Sequence, residues 1–418
     1  MGEGRRESDE ARGLEPQRPV PTGGMLVLLR EGAQAQDARQ LFRDAAGLDV
    51  VDARDFRSSA SALATTMSAG AALFLPTLGI AVLPEPKGTD AEALSTRIRG
   101  EDAVQDVRPE FYLFAIGDGI QSGPAYADTA ARTWGVAATG ADQSRYTGRG
   151  IKIAILDTGI ARNHPDFAGR TITTMSFVPG EDVADGQGHG THCAGTAAGL
   201  ASATTDHPRY GVAPDAELYV GKVLNNAGSG QEGWILAGME WATASKCEVI
   251  SMSLGRPVRR DEPAHALYEE AGQRALANGC LVVAAAGNNS SRQFSYIAPV
   301  AAPANAVSIM AVAAVDQKLG VAEFSCGGVN PDGGQIDIAG PGVGVFSSVP
   351  LPQRYMSLRG TSMACPHVAG IAALWAESDP NLRGRALFDA LKRHARPLGQ
   401  PPEDVGSGLA VAPGLRVT

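Results

Sequence analysis

Two textures of apolar patterning run along the chain. Between Met25 and Ile116 the strand-like runs MLVLL and GIAVLP and the closing segment VQDVRPEFYLFAI alternate with AQDARQLFRDAAG and DAEALSTRIRG. In the latter two, apolar residues recur at helical spacing. This alternation predicts a small α+β domain over 25–116. Beyond it the apolar runs lengthen and stop alternating with polar residues: IKIAIL (151–156), ELYVGKVL (217–224), EVISMSL (248–254), CLVVAAAG (280–287) and SIMAVAAV (308–315). QEGWILAGMEWATASK (231–246) and AHALYEEAGQRALANG (264–279) lie between them as helical stretches. Continuous apolar strands separated by helices predict a mostly parallel, twisted sheet buried on both faces, an α/β fold with helices on either side. In such sheets reactive groups collect at the carboxyl ends of the strands.

The remaining segments punctuate this plan. Residues 1–24 are polar and rich in Arg, Glu, Pro and Gly, and predict a disordered tail. GDGIQSGPAYADTA (117–130) has no periodicity and predicts an exposed linker, which makes 132–418 the second domain.

Composition narrows the function. The net charge of -9 offers no basic surplus for a phosphate backbone, so nucleic acid is not an expected partner. No apolar run reaches the roughly 20 residues of a bilayer span, and the N-terminus has no apolar signal core, so membrane residence is not expected. The expected location is the cytoplasm, or the exterior if an upstream signal precedes this sequence. Five scattered cysteines, Cys193, Cys247, Cys280, Cys326 and Cys365, suit reduced thiols better than a disulfide framework or a zinc site.

Four polar residues stand where chemistry is possible, and each has an ordinary reading beside the functional one. Asp157 ends the run IKIAIL in ILDTGI, where it either caps a turn or points into a crevice. An aspartic-protease reading of Asp-Thr-Gly fails, because two carboxylates must share a proton and no second Asp-Thr-Gly or Asp-Ser-Gly occurs. His189 in DGQGHGTHCAGTAAG precedes a small-residue helix. His192, three residues on, could share its face in a metal spacing, but no convincing third ligand is near. Ser362 in LRGTSMACPHVAGIAALWAE follows Gly360, which permits a sharp turn. Thr361 is the expected N-cap of a helix starting at Ser362, with Pro366 in or near the first turn. A serine there lies close to free backbone N–H groups and the positive end of the helix dipole. Asn288 follows LVVAAAG and either caps a turn or donates its amide to an oxyanion.

Together, ILDTGI, GHGTHCAGT, AAAGN and GTSMACPHVAG, in that order, resemble the motifs of the subtilisin-like serine peptidases. ELYVGKVL, GSGQ and VISMSLG also match, and the resemblance covers about residues 132–395, two-thirds of the chain. It implies a serine endopeptidase with Asp157, His189 and Ser362 as triad and Asn288 in the oxyanion hole. It implies a substrate cleft walled by Ser253-Leu254-Gly255 and Gly228-Ser229-Gly230, open to many side chains with a tilt towards apolar ones. It further implies that 25–116 is a ferredoxin-like, inhibitory prodomain of a zymogen, released by autocleavage between Ile116 and Thr129. The expected partners are polypeptide substrates and the chain's own prodomain, and the expected state is a monomer. No cofactor is required. Calcium as a structural ion is possible, but the loop GLASATTDHPRYGV departs from the family pattern that pairs an Asn-rich loop with the Asp of HPD, here Asp166. Cys193 and Cys365 are expected close to the catalytic helices, as packing or as targets of thiol reagents. A dedicated maturation protease and an inactive fold used for binding remain as alternatives.

Overall fold

The computed structural model describes residues 20–56, 70–86, 90–115, 126–202, 204, 207–330 and 332–414. Most of the predicted tail, Ile116 at the end of the predicted first domain, residues 117–125 of the predicted linker and Asp206 of the loop after the histidine motif lie outside the described residues.

The N-terminal unit runs β1 (Pro21–Leu29), α1 (Ala35–Ala46), β2 (Val50–Asp52), β3 (Ala72–Leu75), β4 (Ile80–Leu83), α2 (Ala91–Arg99) and β5 (Val104–Ala115). Its strands lie in the order β5-β1-β4-β3-β2. Apart from β2, a parallel edge strand, neighbours are antiparallel, and β1–α1–β3–β4–α2–β5 forms a ferredoxin-like unit. β1 starts at Pro21, four residues before MLVLL: Tyr112 N donates to Val20 O, and Pro21 stands opposite Phe111. The run MLVLL is continuous because both faces are covered. Met25, Val27 and Leu29 pack with Phe42, Leu94 and Ile98 of the unit's own helices. Leu26 and Leu28 join the core of the larger body.

That body continues with α3 (Trp134–Thr139), β6 (Lys152–Asp157), β7 (Ile172–Ser176), α4 (His189–Ala198), β8 (Glu217–Lys222), β9 (Ser229–Gln231), α5 (Glu232–Ala244), β10 (Val249–Met252) and β11 (Leu254–Gly255). Then follow α6 (Ala266–Ala277), β12 (Leu281–Ala285), β13 (Met310–Val315), β14 (Ile338–Pro341), the β15 (Val345–Ser348)–β16 (Tyr355–Leu358) hairpin, α7 (Thr361–Ser378), α8 (Arg385–His394) and α9 (Pro402–Val405). Its central sheet has seven strands in the order β14-β13-β12-β10-β6-β8-β7, and every neighbouring pair is parallel. Successive residues of a strand point to opposite faces. Accordingly Ile153 and Ile155 of β6 pack on the side of α4 and α7, while Ala154 and Leu156 pack on the side of α5 and α6.

From β6 the chain first fills the β8 and β7 side, then crosses to β10. The strand order therefore reverses between β6 and β10, and the crevice beyond the carboxyl ends of these two strands is where an α/β sheet places its ligands.

Candidate active site

Asp157 is the last residue of β6 and opens onto that crevice. His189 opens α4, whose N-cap Gly188 has φ 101°, a backbone conformation that favours glycine. Helix and strand meet closely because Gly190 carries no Cβ: one built there would lie 2.4 Å from Gly159 O. Asp185 fixes the approach. Its Oδ1 accepts from Thr158 Oγ1, Gln187 N and Gly188 N at 2.9, 3.1 and 2.7 Å, and its Oδ2 accepts from Thr191 N at 2.8 Å and Thr191 Oγ1 at 2.5 Å. Thr158 Oγ1 in turn accepts from Gly190 N at 2.8 Å. As a result His189 Nδ1 stands 2.8 and 3.0 Å from the two Asp157 oxygens, with both side chains buried. Burial alone would push the imidazole down. The neighbouring Asp157 carboxylate outweighs it and, with Cys193, lifts the His189 pKa well above 6.5. His189 Nε2 is buried with no hydrogen-bond partner, a base without its proton donor.

Ser362 is the second residue of α7. The expected N-cap at Thr361 is not what forms. Gly360 caps the helix at φ 152°, ψ 159°, a region essentially restricted to glycine, and the helix starts at Thr361. Thr361 instead orients Asn288: its N–H and its Oγ1 donate to Asn288 Oδ1 at 2.9 and 2.8 Å. A backbone N–H can only face an acceptor, so this fixes the amide oxygen and turns the Asn288 Nδ2 donors the other way. Pro366 lies in the second turn rather than the first. Its missing N–H leaves Ser362 O without the usual helical donor, and that carbonyl accepts from Ser253 Oγ at 2.8 Å and Cys193 Sγ at 3.6 Å. Ser362 Oγ donates to Ser253 O at 3.0 Å. The structure thus joins Asp157 to His189, and Ser362 to the end of β10. Alignment of the Ser362 hydroxyl with His189 Nε2 requires it to leave the Ser253 carbonyl.

All six residues expected in the cleft are in contact with the chain's own N-terminal unit or with Ser362. The end of β5 enters between β9 and β11, with Leu113 opposite Gly230, Phe114 opposite both Ser229 and Gly255, and Ala115 opposite Leu254. Ala115 N donates to Gly228 O at 2.9 Å. Gly230 admits no side chain, since a Cβ would lie 2.2 Å from Val223 O.

The other candidates fall outside this chemistry. His192 directs Nε2 to the carbonyls of Val345 and Met356, and burial, with His189 nearby, lowers its pKa to about 3. It forms no metal pair with His189. Cys193 and Cys365 lie where expected, Cys193 Sγ being 3.8 Å from His189 Nδ1 and Cys365 Sγ 3.5 Å from Ser251 Oγ. Burial raises both thiols, Cys365 to about 12, which suppresses the reactive thiolate. Among the described residues, the one group able to hold a metal is Asp157, His189 and Cys193, the same buried cluster. At Asp166 the described neighbours do not fit a cation. Both carboxylate oxygens accept from Tyr355 OH at 3.1 Å, one also accepts from Tyr210 OH, and His207 Nε2 lies 3.6 Å away. A calcium ion needs lone pairs where the two tyrosine hydroxyls present donors.

Asp185 and Thr158 were not singled out by sequence reasoning, and Thr361 was expected only as a helix cap. Asp185 does stand inside the DGQGHGT motif, and an acid shortly before a glycine-framed helix start is the signal that marks it.

Comparison with known proteins agrees with this geometry. The profile described as the subtilase family, peptidase S8, matches residues 148–408. M-protease of Shouchella clausii (strain KSM-K16) is 43% identical over 283 residues, covering 67% of this chain and 68% of that protein. Subtilisin Savinase of Lederbergia lenta is 43% identical over 283 residues, covering 67% of this chain and 96% of that protein. Among solved structures, fervidolysin from Fervidobacterium pennivorans, a keratinolytic enzyme related to subtilisin, superposes with a TM-score of 0.72 at 22% identity. The match covers 95% of this chain, which spans 61% of fervidolysin's, and at that identity it speaks for the fold alone. The chain belongs to the subtilase family of subtilisin-like serine peptidases.

Proposed function

We propose that this chain is a serine endopeptidase that acts through Asp157, His189 and Ser362 and is held inactive by its own N-terminal unit. The observation that carries the reading is the end of β5 lying as a strand between β9 and β11, in the crevice that holds the Asp157–His189 pair and Ser362.

Each role follows from the geometry. Ser362 Oγ, once released from the Ser253 carbonyl, gives its proton to His189 Nε2 as it attacks the peptide carbonyl. Asp157 holds the imidazole by Nδ1 and stabilises its charged form without taking the proton. Asn288 Nδ2, turned outward by Thr361, donates with the Ser362 N–H to the developing oxyanion. The proton on His189 then passes to the leaving amine, and water releases the acyl group. No step draws on a cofactor.

Residues 25–116 act as the inhibitory unit. Arg108 and Glu232 form a buried pair at 2.9 Å, Glu232 also accepts from Phe111 N at 2.8 Å, and Glu110 accepts from Gly233 N at 2.5 Å. Glu240 accepts from Thr77 Oγ1 and Leu78 N. The carboxylates of α5 and β5 thereby tie the two bodies together beside a shared apolar core. Main-chain pairing in the cleft supports broad specificity, and the buried Leu113 supports an apolar tilt. Cleavage of a randomised peptide library tests this, and dominance of basic residues just before the cut overturns it. Five buried, unpaired cysteines suit a reducing compartment such as the cytoplasm. No helix among the described residues is long and apolar enough to cross a membrane. The reading treats the chain as a monomer.

A fluorophosphonate mapped by mass spectrometry tests the enzyme reading: modification of Ser362 in the processed chain is expected, and its absence leaves a fold used only for binding. Proteome-wide cleavage profiling separates a broad protease from one dedicated to a single precursor.

A further inference from the structure

We propose that Lys222 is a positioning residue for the reaction: its buried ammonium holds the turn that follows Asp157 and sets a cation beside the Asp157–His189 pair. The proposal rests on the reading of Asp157, His189 and Ser362 as the catalytic residues.

Lys222 is the last residue of β8 and is fully buried. It stands opposite Asp157 in the parallel pairing of β6 and β8. Leu218 and Val220 share the cluster of Ile153 and Ile155 on the side of α4 and α7, so alternation brings Lys222 and Asp157 onto that same face. A buried ammonium needs an acceptor for each of its three N–H groups. Lys222 Nζ has three: Thr158 O at 2.6 Å, Asn226 Oδ1 at 2.8 Å and Glu181 Oε2 at 3.2 Å.

Each acceptor ties the ammonium to a part of the site. Thr158 N donates to Asp157 Oδ1 at 2.7 Å, and the Thr158 hydroxyl bridges Gly190 N and Asp185. Val223 N and Leu224 N donate to Asp157 O at 2.9 and 3.1 Å, so residues 222–224 hold the two successive carbonyls at the end of β6. Asn226 Oδ1 also accepts from Gly186 N at 3.0 Å, on the loop that leads into His189. Glu181 Oε2 closes the ring by accepting from Asn226 N at 3.0 Å. The strand that carries Asp157 and the loop that leads into His189 therefore meet on one ammonium. The β9 wall of the cleft is held separately, by Asn225 Oδ1, which accepts from Ala227 N, Ser229 N and Ser229 Oγ.

Two substitutions move the pair's electrostatics in opposite directions. Lys222→Met removes both the grip on Thr158 and the positive charge. Without that cation a charged imidazole at His189 is less disfavoured, so the rising limb of kcat/KM against pH moves to higher pH. Glu181→Gln keeps an oxygen for Lys222 and Asn226 but removes the negative charge, so the limb moves to lower pH. The other ionisable groups around His189 are Asp157 on β6, Asp185 before α4, and His192 and Cys193 on α4, and both variants retain them.

The test is hydrolysis of an apolar tetrapeptide p-nitroanilide across pH by the chain and these two variants. Each is freed of its N-terminal unit by the same limited proteolysis, and working sites are counted with a fluorophosphonate. Per counted site, Lys222→Met should lose about 10–100-fold in kcat, with KM changed by less than about twofold. Its limb should rise by about half a pH unit or more, and that of Glu181→Gln should fall by a similar amount. A role in packing alone would lower the melting temperature of Lys222→Met and leave kcat per site and the limb at wild-type values, a result that overturns the proposal. If Lys222→Met does not fold, Glu181→Gln decides alone, since Glu181 is partly exposed. A limb that moves down then supports the proposal, and an unmoved or raised limb overturns it. A wild type that neither takes the label nor turns over the peptide overturns the enzyme reading itself, and this proposal falls with it.

Discussion

Replacing Asp185 by Asn removes one negative charge and one acceptor oxygen from a 7% exposed site that serves five donors. If the amide oxygen faces Gln187 and Gly188, the NH2 group confronts Thr191 N–H, which becomes a buried donor without a partner. That orphan costs about 1–3 kcal/mol, and each surviving bond drops from a charge-assisted to a neutral one, about 1 kcal/mol less. With three such bonds, from Thr158 Oγ1, Gln187 N and Gly188 N, the sum is about 4–6 kcal/mol, or roughly 8–24 °C in Tm at 2–4 °C per kcal/mol for a large domain. Thr191 is two residues beyond His189, so the loss also loosens the imidazole relative to Asp157, and kcat should fall by at least tenfold. Denaturant unfolding of Asp185→Asn, made in a Ser362→Ala background to prevent self-digestion, measures the first effect, and peptide hydrolysis by Asp185→Asn alone measures the second. A loss below about 1 kcal/mol with unchanged kcat would refute the assignment of Asp185 as the residue that positions His189.

Asn288→Ala should lower kcat by about 10²–10³ with little change in KM, the order known for subtilisin and carried over rather than worked from this geometry; an equal rise in KM would point to substrate binding instead. Gly190→Ala places a methyl carbon 2.4 Å from Gly159 O and should cost about 1–3 kcal/mol while separating His189 from Asp157; a melting curve unchanged from wild type contradicts this. The raised pKa of His189 has a clear sign for activity. The base works only when deprotonated, so kcat/KM should rise with pH along a limb centred above 6.5, and Asp157→Asn should move that limb to lower pH. A wild-type limb below 6.5 would count against the Asp157–His189 coupling.

The central sheet was legible because both of its faces are buried, which writes β6, β10, β12 and β13 as unbroken apolar runs. β7 (ITTMS) and β14 (IAGP) escaped because Thr, Ser, Gly and Pro dilute their pattern, although β14 is as fully buried as the central strands. The motifs that carry Asp157, His189, Ser362 and Asn288 stand out because close backbone approach at Gly190 and a glycine-only conformation at Gly360 leave glycines in the sequence. Helix capping misled at Thr361. Its hydroxyl is a good cap in general, but here it is committed to Asn288 and Gly287, and only tertiary structure reveals that. The threading of Leu113–Ala115 between β9 and β11 was not legible, because it depends on pairings across more than a hundred residues of sequence.

The most direct test of the account is turnover of an apolar tetrapeptide p-nitroanilide by the chain and by its Ser362→Ala variant, each freed of its N-terminal unit by the same limited proteolysis. The account predicts steady release by the wild type and a fall of about 10⁶ in kcat for the variant, the order seen on removing the nucleophile of subtilisin. Equal rates from the two chains, or no turnover by either, would contradict it.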